Sequence, residues 1–273
     1  MTNDNVIIDY INKLLAYINI LKLVGKKRIE KEQSPKNIFM FFSFQEATNS
    51  FKVFGDVYTL SLKDPEFFTQ LSILARNIHE IFLTFFWIRK EKMEQLFFAY
   101  IFKEDNEMLE YYDDISKQTG GKILMDDQIR EKIAAGKDFY IDLLNKTKKY
   151  NKFLSTKTKD GALFPSWYDI AGRIESLYKK GFFSAMKLGH KNYYRLVSLA
   201  SHFRPSSVTA NIPHFTSPQA TSTSKILIAQ ITTTLMLVLT EEITSRLAYG
   251  AKYKAQIKSL RDEYKKCIEP LFS

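Results

Sequence analysis

The sequence predicts an all-α protein, an elongated up-and-down helical bundle with an N-terminal helical extension. Three observations carry this. Only 10 Gly and 7 Pro occur in 273 residues, too few for the tight turns of an all-β fold. The hydrophobic fraction is 45%, with 22 Phe and 15 Tyr, which is enough to fill a core and argues against global disorder. Apolar residues also recur at helical spacing over long runs. One cysteine, Cys267, excludes an internal disulfide framework and any multi-thiolate metal centre.

The elements follow in order. Residues 6–23 are apolar with polar positions at helical intervals and lead into a charged run, so residues 1–34 read as an N-terminal helix. Ser34 and Pro35 mark a break, after which residues 35–273 form the bundle. A second helix is expected over about 37–54, with a short strand as the alternative around Ser50–Phe51 and Val53–Tyr58. Asp64, Pro65 and Glu66 make a helix start: an N-cap acid, proline at the first position and an acid in the first turn. The helix from there to about residue 90 is apolar nearly all round, which marks it as the central helix.

Another helix should close at Gly120 and Gly121. Asp126 opens a lysine-studded helix to about residue 150. Residues 151–166 read as a loop, and helical segments follow over 167–180 and 182–202. Residues 205–224, rich in Pro, Ser and Thr, read as a long mobile loop. One continuous helix is expected from about 225 to 268.

Lys and Arg number 40 against 30 Asp and Glu, a net charge of +10. Such an excess suits polyanionic partners, although lysine-rich usage can also be compositional. The first residues lack a basic n-region. No run reaches the roughly 18 apolar residues of a bilayer span. The reading is a cytoplasmic protein without a transmembrane segment.

Two constellations stand out. Arg76 and Glu80 sit at i and i+4 in the apolar helix, hence on one face. Buried charges of this kind need pairing. They are either an ion pair tying helices together or part of a polar pocket inside the bundle. Further on, Tyr194, Arg195, Ser198 and His202 fall on one third of a helix circumference. That is either a solvated face or a cation beside an imidazole, a pair suited to phosphodiester chemistry. Lys146, Lys148, Lys149 and Lys152, with Tyr150 and Phe153 between them, either track a nucleic-acid strand or form a solvated helix end. His79 reads as a core histidine. No His/Cys cluster has metal-ligand spacing, so neither metal nor cofactor is expected.

Arg76-x-x-x-Glu80 on a hydrophobic helix, followed by Tyr194-x-x-x-Ser198 and His202 before a Pro/Ser loop, resembles a family of uncharacterised bacterial all-helical proteins. That family is similar to the HEPN superfamily (higher eukaryotes and prokaryotes nucleotide-binding), helical bundles with an Arg-x(4–6)-His motif. Arg195 and His202 have six intervening residues, within that window. Leu196 departs from it, since a polar residue usually follows the Arg. The resemblance implies RNA or a nucleotide as partner, metal-independent RNA cleavage, a homodimer, and an antitoxin or phage-defence partner. In that reading Arg195 and His202 are catalytic, Arg76 and Glu80 orient them, and Tyr194 and Ser198 supply hydrogen bonds. Two rivals stay open: a non-catalytic scaffold whose polar pocket fixes helix register, and a peripheral membrane effector.

Overall fold

The computed structural model describes residues 2–32, 34–64, 67–91, 108–122, 124–134, 154–157, 163–165, 218–248 and 250–272. Helix dominates them, and one two-stranded hairpin is the sole sheet among the described residues. The fold is an all-α helical bundle. The chain forms two compact units: Met1–Trp87 with Arg173–Ser273, and Ile88–Gly172.

The first unit begins with α1 (Asn3–Lys31). The Thr2 side chain accepts from the Asn5 N–H at its start, satisfying one orphan donor. Arg28 and Lys31 complement the dipole in its last turn. Its buried side chains are Ile7, Tyr10, Ile11, Leu14, Tyr17, Ile18 and Leu21, one stripe at steps of three and four. The sequence sets residues 1–34 apart as an extension, but α1 packs on three other helices of the unit. Its apolar stripe, once formed, has to be covered, and this makes it a core member.

Helix α2 (Pro35–Ser61) is opened by Ser34, whose hydroxyl accepts from the Asn37 N–H, with Pro35 at the first helical position. No strand interrupts it at 53–58. It runs antiparallel to α1: a Cβ on Gly25 would meet Phe41, and one on Gly55 would meet Ile11. Helix α3 (Phe68–Glu91) lies against α2 through the stacked Phe39 and Phe85 rings, 5.4 Å apart. The Asn77 amide adds a bond to Ser50 Oγ at 2.8 Å.

Two helices replace the expected single helix of 225–268. Helix α6 (Pro218–Leu247) and helix α7 (Ala251–Cys267) are separated at Gly250, which serves as an extended N-cap for α7 (φ −78°, ψ 144°). The turn folds α7 back along α6, so that Arg261 pairs with Glu241. Helix α6 also starts earlier than the sequence suggests. Residues 218–224, assigned to the mobile loop, are helical, because Pro218 suits a first helical position; residues 205–217 lie outside the described residues. A 3₁₀ turn (Glu269–Phe272) follows α7.

Helix α6 is a second central helix, in addition to α3. It packs on α1, α2 and α7 and buries Ile228, Leu235, Met236, Leu239 and Ile243. Helix α3 buries Leu71, Ala75, Ile78, Phe82 and Phe85, while Ile73 and Asn77 leave an open stripe on it. Thr232, Thr233, Thr240 and Thr244 are also buried in α6. Each hydroxyl donates to the carbonyl four residues back, at 2.6–2.7 Å, so burial leaves no hydroxyl donor unmet. That is how a threonine-rich run becomes a core helix. Residues Phe68–Arg89 and Thr223–Leu247 are each long and apolar enough to cross a membrane, which revises the sequence reading. However, 61% and 56% of their most apolar 18-residue windows is buried inside the protein, as in the core helices of a bundle.

In the second unit, α4 is described over residues 108–118 and α5 over 127–134. Helix α4 ends at Gly120 and Gly121, both left-handed (φ 61° and 80°). The Gly121 N–H returns to the Ser116 carbonyl at 2.8 Å, as a C-terminal cap requires. Asp126 caps α5 by accepting from the N–H groups of Gln128 and Ile129. Arg130 meets Asp113 across α4 and α5 at 2.7 Å. Strands β1 (Leu154–Lys157) and β2 (Leu163–Pro165) pair antiparallel where the sequence suggested only a loop. The register places Lys157 opposite Leu163.

Candidate functional site

The described part of the site is the middle of α3. Arg76 Nε donates to Glu80 Oε1 at 2.8 Å, an i,i+4 pair as the spacing required. The side chains keep 22% and 35% of their exposure. The pair is therefore half-buried, at the rim of the core rather than within it. Around it, Ser72, His79, Leu83 and Trp87 are buried. The Ser72 hydroxyl is committed to the Phe68 carbonyl at 3.0 Å. His79 has no exposed surface, as expected of a core histidine. This leaves Arg76 and Glu80 as the groups on this turn that combine charge with solvent contact.

The partners assigned by sequence lie elsewhere in the chain. Tyr194, Arg195, Ser198 and His202 are outside the described residues, and so are Lys146, Lys148, Lys149 and Lys152. Among the described residues no group of His, Cys, Asp or Glu has metal-holding geometry.

A second polar arrangement was not anticipated. Helices α1 and α6 both begin where α2 ends. There Tyr58 donates to Asp4 Oδ1 at 2.7 Å. Lys225, itself only 7% exposed, donates to the Ser61 carbonyl, an orphan acceptor of the α2 C-terminus. Burial pushes the Lys225 ammonium below its ordinary range, while the charges of Asp4 and Asp64 pull it back up. Burial, reinforced by the bond to Asp4, pushes the Tyr58 phenol well up. The one sequence signal was a lone lysine immediately before the apolar run that starts at Ile226.

A third feature is the seam of α7 with α1 and α6. The Tyr10 hydroxyl donates to the Leu260 carbonyl at 3.0 Å, and Tyr17 donates to the Tyr253 carbonyl at 2.9 Å. Tyr264 bonds Thr234 Oγ1. Burial raises all three phenols. It also raises the Glu241 carboxyl, against the pull of Arg261. Each tyrosine supplies an apolar body and a polar tip that reaches a partner. These bonds explain helix register and leave no group poised for chemistry.

Residues 42–217 match a family described as a family of unknown function, DUF5677. That match spans more than half of the chain. The chain belongs to the DUF5677 family. The DUF5677 region contains Arg76 and Glu80, the lysines at 146–152, and Tyr194 to His202. Asp4, Lys225, α1 and α7 fall outside it. No curated protein and no solved structure matches the chain.

Proposed function

We propose that this DUF5677 protein is a cytoplasmic, HEPN-like protein that binds RNA or a nucleotide and cleaves RNA without metal, in a toxin or phage-defence role. The observation that carries the reading is the Arg76–Glu80 pair. An ion pair is held half-buried and solvent-reachable in a largely apolar helix of an all-α bundle. The net charge of +10 suits an RNA partner.

In this reading the ribose 2′-OH attacks the adjacent phosphorus and the bond to the 5′-oxygen breaks. His202 accepts the hydroxyl proton or protonates the leaving 5′-oxygen, and Arg195 stabilises charge on the phosphoryl oxygens. Arg76 and Glu80 orient that pair, while Tyr194 and Ser198 hydrogen-bond to it. The products are a 2′,3′-cyclic phosphate and a 5′-hydroxyl. The test is RNA cleavage in EDTA. His202→Ala should slow it by roughly 10²-fold or more, and Arg195→Lys should also impair it, because an ammonium cannot reproduce a bidentate phosphate contact.

A non-catalytic scaffold is the second reading. It is favoured by the i,i+4 geometry of Arg76 and Glu80, an ion-pair spacing that supports a helix without any ligand. RNA binding that His202→Ala leaves intact, with no cleavage by the wild type, selects this reading.

A further inference from the structure

One end of the first unit carries a concentration of cations that helix stability explains only for the lysines of α1. Three contacts bring the segments together. A Cβ on Gly25 would meet both Phe41 of α2 and Leu247 at the end of α6. Tyr17 of α1 bonds the Tyr253 carbonyl in the first turn of α7. Gly25, near the end of α1, thus lies beside the end of α6, the first turn of α7 lies beside Tyr17 about two turns earlier, and the chain passes directly from α1 into α2. Lys22, Lys26 and Lys27 of α1, Lys36 of α2, and Lys252 and Lys254 of α7 share this end. All but the half-exposed Lys22 are exposed. The acids Glu32 and Glu242 are already tied to Arg28 and Arg246, at 3.1 and 3.2 Å. Glu30 is exposed one turn after Lys26 and Lys27, on their helix face, and forms an ion pair with neither of them. Among the described residues none of the six lysines has an ion-pair partner.

Three of these lysines are also placed against local stability. Lys36 and Lys252 are second helical residues and Lys254 a fourth, near helix starts where a cation opposes the dipole. Neither α2 nor α7 has an acid in its first turn. Lysines gathered in this way form a field of positive point charges suited to successive phosphates. In α2, next in sequence to the Phe41 that faces Gly25, Phe42 stands 50% exposed and edge-on to Phe41, a surface on which a base can stack.

We propose that this end of the bundle binds the phosphodiester backbone of single-stranded RNA. The surface stands on its own charge arrangement and uses none of the residues assigned to cleavage. A bilayer is the poorer occupant. The apolar stripe of α1 is spent on the bundle core, leaving Ile20 and Leu23 as its exposed aliphatic side chains, whereas an interfacial helix sinks a whole apolar face.

The experiment measures fluorescence anisotropy of the full chain with labelled oligouridine and oligothymidine of about twenty nucleotides, a length within reach of known single-strand sites. The thymidine probe lacks the 2′-OH, so cleavage cannot disturb its reading. The test variant is Lys22→Gln/Lys26→Gln/Lys252→Gln/Lys254→Gln. A control of equal charge change is Lys52→Gln/Lys63→Gln/Lys122→Gln/Lys132→Gln. The proposal expects the test variant alone to weaken binding about tenfold or more, with the salt slope falling by roughly 0.7 for each phosphate no longer neutralised. Binding to oligouridine should equal or exceed binding to oligothymidine. Circular dichroism establishes that both variants remain folded. Equal weakening in the control, no oligouridine binding by the wild type, or an effect confined to phosphatidylserine vesicles would each overturn it. Because the reading is equilibrium binding, a failed cleavage assay leaves this surface standing, and a failed binding assay leaves His202 to its own test.

Discussion

Tyr58 donates its phenolic proton to Asp4 at 2.7 Å, which ties the end of α2 to the first turn of α1. Lys225 closes the same corner by reaching the Ser61 carbonyl, one turn further along α2. Three helix ends are fastened by a phenol, a carboxylate and an ammonium, and the phenol and ammonium are buried.

Removing the phenolic hydroxyl should therefore be felt. Tyr58→Phe should cost about 1–2 kcal/mol, the range for a hydrogen bond to a charged acceptor with partial exposure. Asp4→Ala, which removes the acceptor, should cost a similar amount. The double variant should lose clearly less than the sum of the two, since each single change already breaks the bond. Urea unfolding of the four proteins checks this, and simple additivity would show that the bond contributes nothing.

Alkaline pH should destabilise the fold. Tyr10, Tyr17, Tyr58 and Tyr264 all hold their protons more tightly when folded than at the ordinary value of 10.0. The unfolded chain ionises first, so their stabilisation is complete below pH 10.0 and is lost as pH rises towards the folded values. Lys225 acts in the opposite sense. Its folded value lies below 10.5, so its contribution improves with pH between that lowered value and 10.5. Four phenols outweigh one amine, and unfolding midpoints should fall between about pH 9 and about pH 11. Tyr10→Phe/Tyr58→Phe should flatten that fall.

The Arg76–Glu80 pair should matter little to stability. With both side chains partly in solvent, Glu80→Gln should cost about 0.5–1 kcal/mol, as for helix-surface pairs of good geometry. A change near 3 kcal/mol would mean that the arginine is stranded in the core. Should Glu80→Gln leave thermal unfolding almost unchanged yet abolish RNA cleavage, the pair positions chemistry rather than structure.

Two glycines should resist substitution for different reasons. At Gly25 a Cβ would stand 2.8 Å from Phe41 Cδ2, so Gly25→Val should overpack the α1–α2 crossing and cost about 2–3 kcal/mol. At Gly121 nothing lies within 4 Å, but φ is +80°. Gly121→Ala should cost about 1 kcal/mol through backbone strain alone. Denaturation midpoints of the two variants separate crowding from conformation.

Much of the bundle was legible because helix signals are local. The Ser34–Pro35 break, the Gly120–Gly121 stop and the Asp126 cap are each read from a few neighbouring residues, and each is in place. The break at Gly250 was missed. The apolar pattern resumes in register after it, and a single glycine is tolerated within many helices. Helix α1 looked peripheral because nothing in residues 1–34 names the partner its stripe requires. The i,i+4 pairing of Arg76 with Glu80 was readable from spacing, whereas its half-buried state depends on which flank of α3 the core covers. The Asp4–Tyr58–Lys225 corner joins residues too far apart in the chain for any pattern to reveal.

The first unit is assembled from both sides of the second, since residues 88–172 interrupt it. On a ribosome, α1 and α2 emerge long before α6, the helix that covers their shared groove. Until then Leu14, Phe51 and Phe54 have no complete core to enter, and the closing contacts join residues more than two hundred positions apart, as between Tyr17 and Thr244. Such distant closure makes folding slow and leaves apolar surface exposed while synthesis continues. The early helices are the natural clients of a chaperone, and a nascent chain stalled before residue 218 should be captured by one.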